Sequence, residues 1–455
     1  MDIKHIYHLY RRAAFGILPV EAEAKSSMSR KEVVNELFKA SRDYTPLTID
    51  QTPFDKFFAR DLDRMTRRKE FVKTIENNKT LRLNFAGVFM DRMLNPIEPL
   101  NERMTLFWMN VFVCRDNVPP YIQRYNNVLR ENALGNFKKF VLAVAKEPAM
   151  MRYLNTNQNL KGHPNENFAR ELMELFTLGP GNYTEDDIKE AARAFTGWAH
   201  RIEGDFYFRT RQHDYGTKSF MGWEADLDGE DIIAIITKKP ECAQFICTKL
   251  YRYFVNEKVN PAHVLEMAEV FYRHYDIKDV MHFLFMSDWF YDEENIGSKI
   301  KSPMDFLASM HLVVPYRFTA EKEMVFLQRL LGQVPLDPPN VAGWEGGKSW
   351  IDTNTIMTRL KLPSLLLGKG MIPTGTARDR FIEMSKRPYG NRLKVSVDWE
   401  AFDAMTQGLS EEKLIDMVLA GSQAPGTVDL ISGLKKQDKR DFVMQLMSLP
   451  EFQLT

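Results

Sequence analysis

Apolar residues recur at helical spacing along almost the whole of this chain, which restricts it to a fold of packed helices. In Tyr183–Gly197, Ile188, Ala191, Ala192 and Phe195 fall at i, i+3, i+4 and i+7. Thr184 stands three residues before Asp187 as a capping pair, and Gly197 closes the segment. The same spacing runs through Arg30–Ala40, Asn101–Cys114, Asn136–Ala145, Cys242–Phe254, Ala262–Tyr275, Lys278–Met286, Ala320–Leu331, Glu411–Leu419 and Lys439–Leu446. With 455 residues, 44% of them apolar, the chain has ample material for a buried core. The expectation is an all-α protein, a large multi-helix globular bundle.

Two stretches break the period. Asp205–Gly222 alternates aromatic and polar residues around Tyr215-Gly216 and reads as one short β-hairpin. Leu336–Trp350 gathers prolines, glycines, Trp344 and Trp350 into one long irregular loop, and a loop that rich in large aromatics is expected to be pinned to something. Met371–Trp399 is polar with little periodicity. It divides a main helical domain, 1–370, from a smaller C-terminal helical unit, 371–455, packed on it.

Several function classes drop out. Lys plus Arg and Asp plus Glu both number 61, so no net field draws the chain to nucleic acid or to an acidic membrane. No apolar run approaches the roughly 18 residues of a membrane span. No apolar segment follows Met1–Gly16 as in a signal peptide, so the chain as written is expected in the cytoplasm, or exported if it is a trimmed mature form. Cys114, Cys242 and Cys247 make no zinc set and read as small buried hydrophobes. Phosphate loops, nucleophile elbows, His-Glu-x-x-His and dinucleotide fingerprints do not occur, so no cofactor or metal is expected. Glu224–Gly229 resembles the start of a calcium loop, but Ile235 stands where its bidentate glutamate belongs. Asp228–Asp231 reads instead as the start of the next helix.

The densest polar cluster is His163–Gly179. Projected at about 100° per residue, Glu166, Asn167, Arg170, Glu171 and Glu174 share one arc, opposite Phe168, Leu172, Met173 and Phe176. That arc is either a solvated face laced with i,i+4 ion pairs or the floor of a polar pocket. In the pocket reading Glu166 or Glu171 is a general base and Arg170 grips an anion, with Asn167 beside them. His8 and Arg12 lie four apart with Arg11 adjacent, two guanidinia able to hold a carboxylate or phosphate. His213-Asp214 offers a second acid/base pair, and Trp198 and Trp344 are candidate ligand contacts.

These segments resemble a bacterial family catalogued as "domain of unknown function 1800". The landmarks are His8–Gly16, Glu102–Trp108, Pro148–Leu154, His163–Trp198, His213–Gly222, Lys301–Phe306 and Pro339–Leu360. Many members carry His-x-His-Phe after the tryptophan that is Trp108 here; this chain has Met109 and Val111 instead of those imidazoles. If they bind metal elsewhere in the family, the resemblance implies that this chain has lost it. It also implies a sulfatase-like partner protein. Two readings stay open: a helical scaffold or binding protein, or a degenerate enzyme, with its pocket on the 163–179 helix; or a hydrolase or transferase acting on a small anionic substrate.

Overall fold

A computed structural model describes every residue except 59–62, 78–79, 320, 369–394, 422 and 435–437. Among the described residues the architecture is mostly α, with three two-stranded antiparallel sheets. One continuous apolar core runs from Leu9 to Phe452.

Many helices begin where local chemistry tells them to. Proline occupies the first turn of Pro99–Val111, Pro119–Asn132, Pro240–Phe254, Pro261–His274 and Pro303–Val313, where its missing N–H costs nothing. Reciprocal capping boxes start others: Ser29 with Glu32, Thr184 with Asp187, Asp228 with Asp231, and Ser302 with Asp305. The Asp228 pair confirms the helix start and leaves the calcium reading without its loop. Replacing Thr184 by alanine should cost about 1 kcal/mol of stability, read from urea unfolding, because the Asp187 N–H loses its acceptor.

The helix Pro99–Val111 is the hub. Its residues from Leu100 to Met109 are all buried, as is Val111, so it is enclosed on every side rather than amphipathic. Its polar members are therefore paired inside the core. Arg130 Nε and Nη2 reach Glu102 Oε1 and Oε2 at 2.7 and 2.9 Å, and Arg92 Nη1 reaches Oε1 at 3.0 Å. Asn101 donates to the Arg130 carbonyl at 3.1 Å.

The expected single hairpin over 205–222 is two. Trp198–His200 pairs with Phe206–Phe208, and Lys218–Phe220 pairs with Trp223–Ala225. The second turns at Met221-Gly222, whose φ values of 49° and 87° are the left-handed pair that a tight two-residue hairpin demands. Tyr215-Gly216 lies in the link between them. The third sheet joins Tyr316–Phe318 to Val395–Val397. The polar segment expected to separate two domains falls mostly outside the described residues. The charged run 60–73 is a helix from Arg64 onward, its first residues likewise outside.

The polar helix 163–179 also departs from a uniform 100° step. Asn167–Glu171 is α-helical, but Leu172–Thr177 widens into a π-turn, with Leu178 N–H bonding the Met173 carbonyl at 2.9 Å. The widening takes Glu174 out of line with Arg170, and it accepts instead from the Tyr183 hydroxyl at 2.9 Å.

Candidate functional site

A cavity of about 430 Å³ opens between the N-terminal helix Ile3–Ala13, the hub helix, the end of Pro240–Phe254, the segment at 299–305 and the 336–350 loop. Six cationic side chains line it, Arg11, Arg12, Arg103, Lys249, Arg252 and Lys299, against three carboxylates, Glu257, Asp305 and Glu345. Phe107, Tyr253, Trp344 and Trp350 supply aromatic surface.

Arg115 holds the start of the loop through Asp337 at 2.9 Å, and Asn110 holds its middle. Asn110 donates to the Trp344 carbonyl at 2.9 Å and accepts from the Trp344 N–H at 2.8 Å, imitating a strand neighbour. Trp344 and Trp350 are each 8% exposed, so the loop packs against the body and offers little aromatic surface to bulk solvent. At Gly347 the φ of 55° favours glycine, and a Cβ there would push the Glu257 carboxylate aside.

Two guanidinia dominate the interior. Arg103 pairs with Asp305, donates to the Arg11 carbonyl at 3.0 Å and lies 3.9 Å from the Phe15 ring centroid. Burial alone would raise the Asp305 pKa, but the Arg103 charge and the Ser302 hydrogen bonds outweigh it and hold the carboxyl below its ordinary value. Arg12 donates through Nη2 to the Asn295 carbonyl at 2.8 Å and to Ser298 Oγ at 3.2 Å. Its Nε and Nη1 are buried with no hydrogen-bond partner. Burial, reinforced by Arg103, lowers its pKa to about 9, still charged at neutral pH. An unpartnered buried guanidinium is costly.

The lysines feel the same crowding. Burial first, then Arg12, brings Lys299 down to about 7, and burial with Arg252 brings Lys249 to about 8. Arg11 is lowered by burial to about 10; it donates to the carbonyls of Asp416 and Met417 and lies over the Tyr7 ring.

Of the residues picked out from sequence, Arg11, Arg12 and Trp344 line this cavity. The others lie elsewhere, and none of Glu166, Asn167, Arg170 and Glu171 touches it. Arg170 forms a surface fork with Glu185 at 2.8 and 2.9 Å and reaches Glu166 at 3.2 Å. Asn167 is exposed, and Glu171 is half-buried with a pKa raised by burial and by Glu174. His8 is buried, bonds the Phe290 carbonyl at 3.0 Å and is held neutral by burial and by Arg12. His213 is buried between Phe208 and Tyr215 with Nδ1 2.8 Å from the Thr196 carbonyl. Asp214 points away to Arg193 at 2.8 Å, and that hydrogen bond lowers its pKa to about 2. Trp198 packs edge-on against Phe195 and Phe206.

Arg103, Lys299, Asp305 and Glu257 escaped the reading of the sequence. Two had a signal, because Arg103 and Asp305 sit inside the landmarks Glu102–Trp108 and Lys301–Phe306. Lys299 and Glu257 look like ordinary surface charges until the chain folds. A second, more open depression of about 1220 Å³ also holds arginines, but Arg67 is engaged by Glu203 and Arg152 by Asp116. At the positions of the absent imidazoles, Met109 and Val111 are both buried, and Val111 lines the cavity. Among the described residues no three His, Cys, Asp or Glu side chains gather as a metal set, and no helix is long and apolar enough to cross a membrane. No curated protein and no solved structure matches the chain. Residues 8–454 match the sequence model of the family described as "Protein of unknown function (DUF1800)", and the chain belongs to that family.

Proposed function

We propose that this protein binds a small organic anion in the cavity beneath the 336–350 loop. The observation that carries the reading is Arg12, charged, buried and with two N–H-bearing nitrogens unpartnered, in a cavity whose cationic side chains outnumber its carboxylates six to three. A carboxylate or phosphate would accept from Arg12 in the forked geometry that guanidinium favours. The four aromatic rings favour a ligand with a carbon body over a bare inorganic ion. A small ligand suits the buried Trp344 and Trp350 better than the protein partner implied by the resemblance, since neither ring is free as an anchor.

Isothermal titration with citrate, and with pyrophosphate as an inorganic comparison, tests this. Citrate is expected to bind with an affinity that falls as salt rises. Arg12→Met should weaken it at least about ten-fold, the size of a lost charge-assisted hydrogen bond. Arg170→Ala, whose guanidinium already bonds Glu166 and Glu185, should leave it within about two-fold. No heat from either probe, or an Arg12 variant that binds like wild type, refutes the reading.

A further inference from the structure

Lys299 is half-buried and, with Lys249, is one of the two lysines that line the cavity. Lys218 is buried and paired with Asp226 at 2.8 Å, and Lys301 lies over the Phe452 ring outside the cavity. Lys299 faces the cavity with no close counterion: its Nζ donates to the Arg252 carbonyl at 2.6 Å, while Glu257 Oε1 stands off at 3.9 Å. Its other charged neighbours are Arg12, Arg252 and Asp305. Backbone bonds to Thr455 in both directions, at 2.8 and 3.3 Å, fix the residue from which the side chain springs. Glu257 Oε1 is buried without a hydrogen-bond partner, and Gly347 packs against the same carboxylate. An amine, a carboxylate oxygen without a hydrogen bond and the Arg12 guanidinium thus line one cavity.

We propose that Lys299 forms a Schiff base with an oxo acid in this cavity, the substrate carboxylate held by Arg12 and the protons moved by Glu257. The inference rests on the anion-binding reading above. The Lys299 ammonium first gives a proton to the nearby Glu257 carboxylate; the neutral amine then bonds the carbonyl carbon while the C=O π pair moves to oxygen, and a proton passes from nitrogen to that oxygen to give a carbinolamine. Glu257 delivers a second proton to the oxygen, which leaves as water as the nitrogen lone pair forms C=N; the proton remaining on nitrogen returns to Glu257. Amine plus ketone gives imine plus water, with no oxidant or reductant. A lysine desolvated beside other cations is the kind that supplies such an amine near neutral pH, and the value of about 7 for Lys299 leaves about half of it unprotonated there.

The test is to incubate the full chain with 2-oxoglutarate and sodium cyanoborohydride and to map the reduced adduct by mass spectrometry. One adduct is expected, on Lys299, absent from Lys299→Arg and formed at the wild-type rate in Arg440→Ala, far from the cavity. Excess citrate should block it by occupying the same guanidinium. Labelling should fall about five-fold from pH 7 to pH 6 as the amine protonates, and Glu257→Gln should slow it at least about ten-fold with an unchanged thermal midpoint. If citrate and 2-oxoglutarate both bind but no adduct forms on Lys299, the Schiff-base proposal fails and the anion site stands. Labelling spread evenly over lysines, the same in Lys299→Arg, also refutes it. If neither acid binds, the anion-site reading itself is overturned.

Discussion

Replacing Glu102 by alanine is expected to remove about 3–5 kcal/mol of stability, a large share of the roughly 5–15 kcal/mol that holds a typical domain folded. Glu102 and Arg130 have wholly buried side chains, joined by two short hydrogen bonds, and Arg92 adds a third donor to the same carboxylate. Truncating the acid leaves Arg130 buried in the core with only the amide oxygens of Asn126 and Asn127 to bond at 2.8 and 3.1 Å. Desolvation of that charge, not loss of attraction, sets the size of the effect. Glu102→Gln keeps an acceptor of the same shape and should lose less. Urea unfolding followed by circular dichroism decides the matter: a change under about 1 kcal/mol would mean that water reaches Arg130 and that the hub helix is less enclosed than described.

Asp305→Asn is the second large effect, and it couples stability to ligand. Asp305 closes the capping box at Ser302 and pairs with the buried Arg103; the variant keeps the Ser302 cap and an amide acceptor but leaves a second guanidinium without an anion. We expect a loss of about 3 kcal/mol, partly recovered by citrate, which binds the folded state only. Its pH dependence has a definite sign. The folded pKa of Asp305 lies below the ordinary 3.8, so its stabilisation is present above that value and disappears as pH falls through the folded one. Wild type should therefore lose stability in acid faster than the variant, the two curves converging below pH 3.8. Parallel curves, or no stabilisation by citrate, would contradict this account.

Much of the fold was legible because it is written locally. The period of 3.6, the prolines at helix starts and the Thr184 and Asp228 caps each involve residues within one turn of one another. The hairpins were harder, since Met221-Gly222 marks the second turn only if a methionine is allowed a positive φ. The 163–179 helix misled for a related reason: a projection assumes one angular step, and the π-turn at Leu172–Thr177 changes it. The cavity was the least legible. Arg11, Arg12 and Trp344 were picked out for their chemistry, but nothing near them in sequence says that Lys299 and Glu257 will be brought alongside. A helix face dense in Glu and Arg proved to be paired with Glu185 of the next helix and with itself, whereas the cations that matter sit in segments that are individually unremarkable in charge.

The cavity takes its wall from positions 12, 103, 257, 299, 305 and 344, contributed by segments that span most of the chain. Contacts of such long sequence separation are among the last to be secured when a chain organises, because loop closure must precede them. No excised helix or half-length fragment can assemble the enclosure. Citrate affinity would therefore measure the fraction of molecules that have completed their tertiary assembly, and any lesion that lets the helices form but not dock would first register as lost binding.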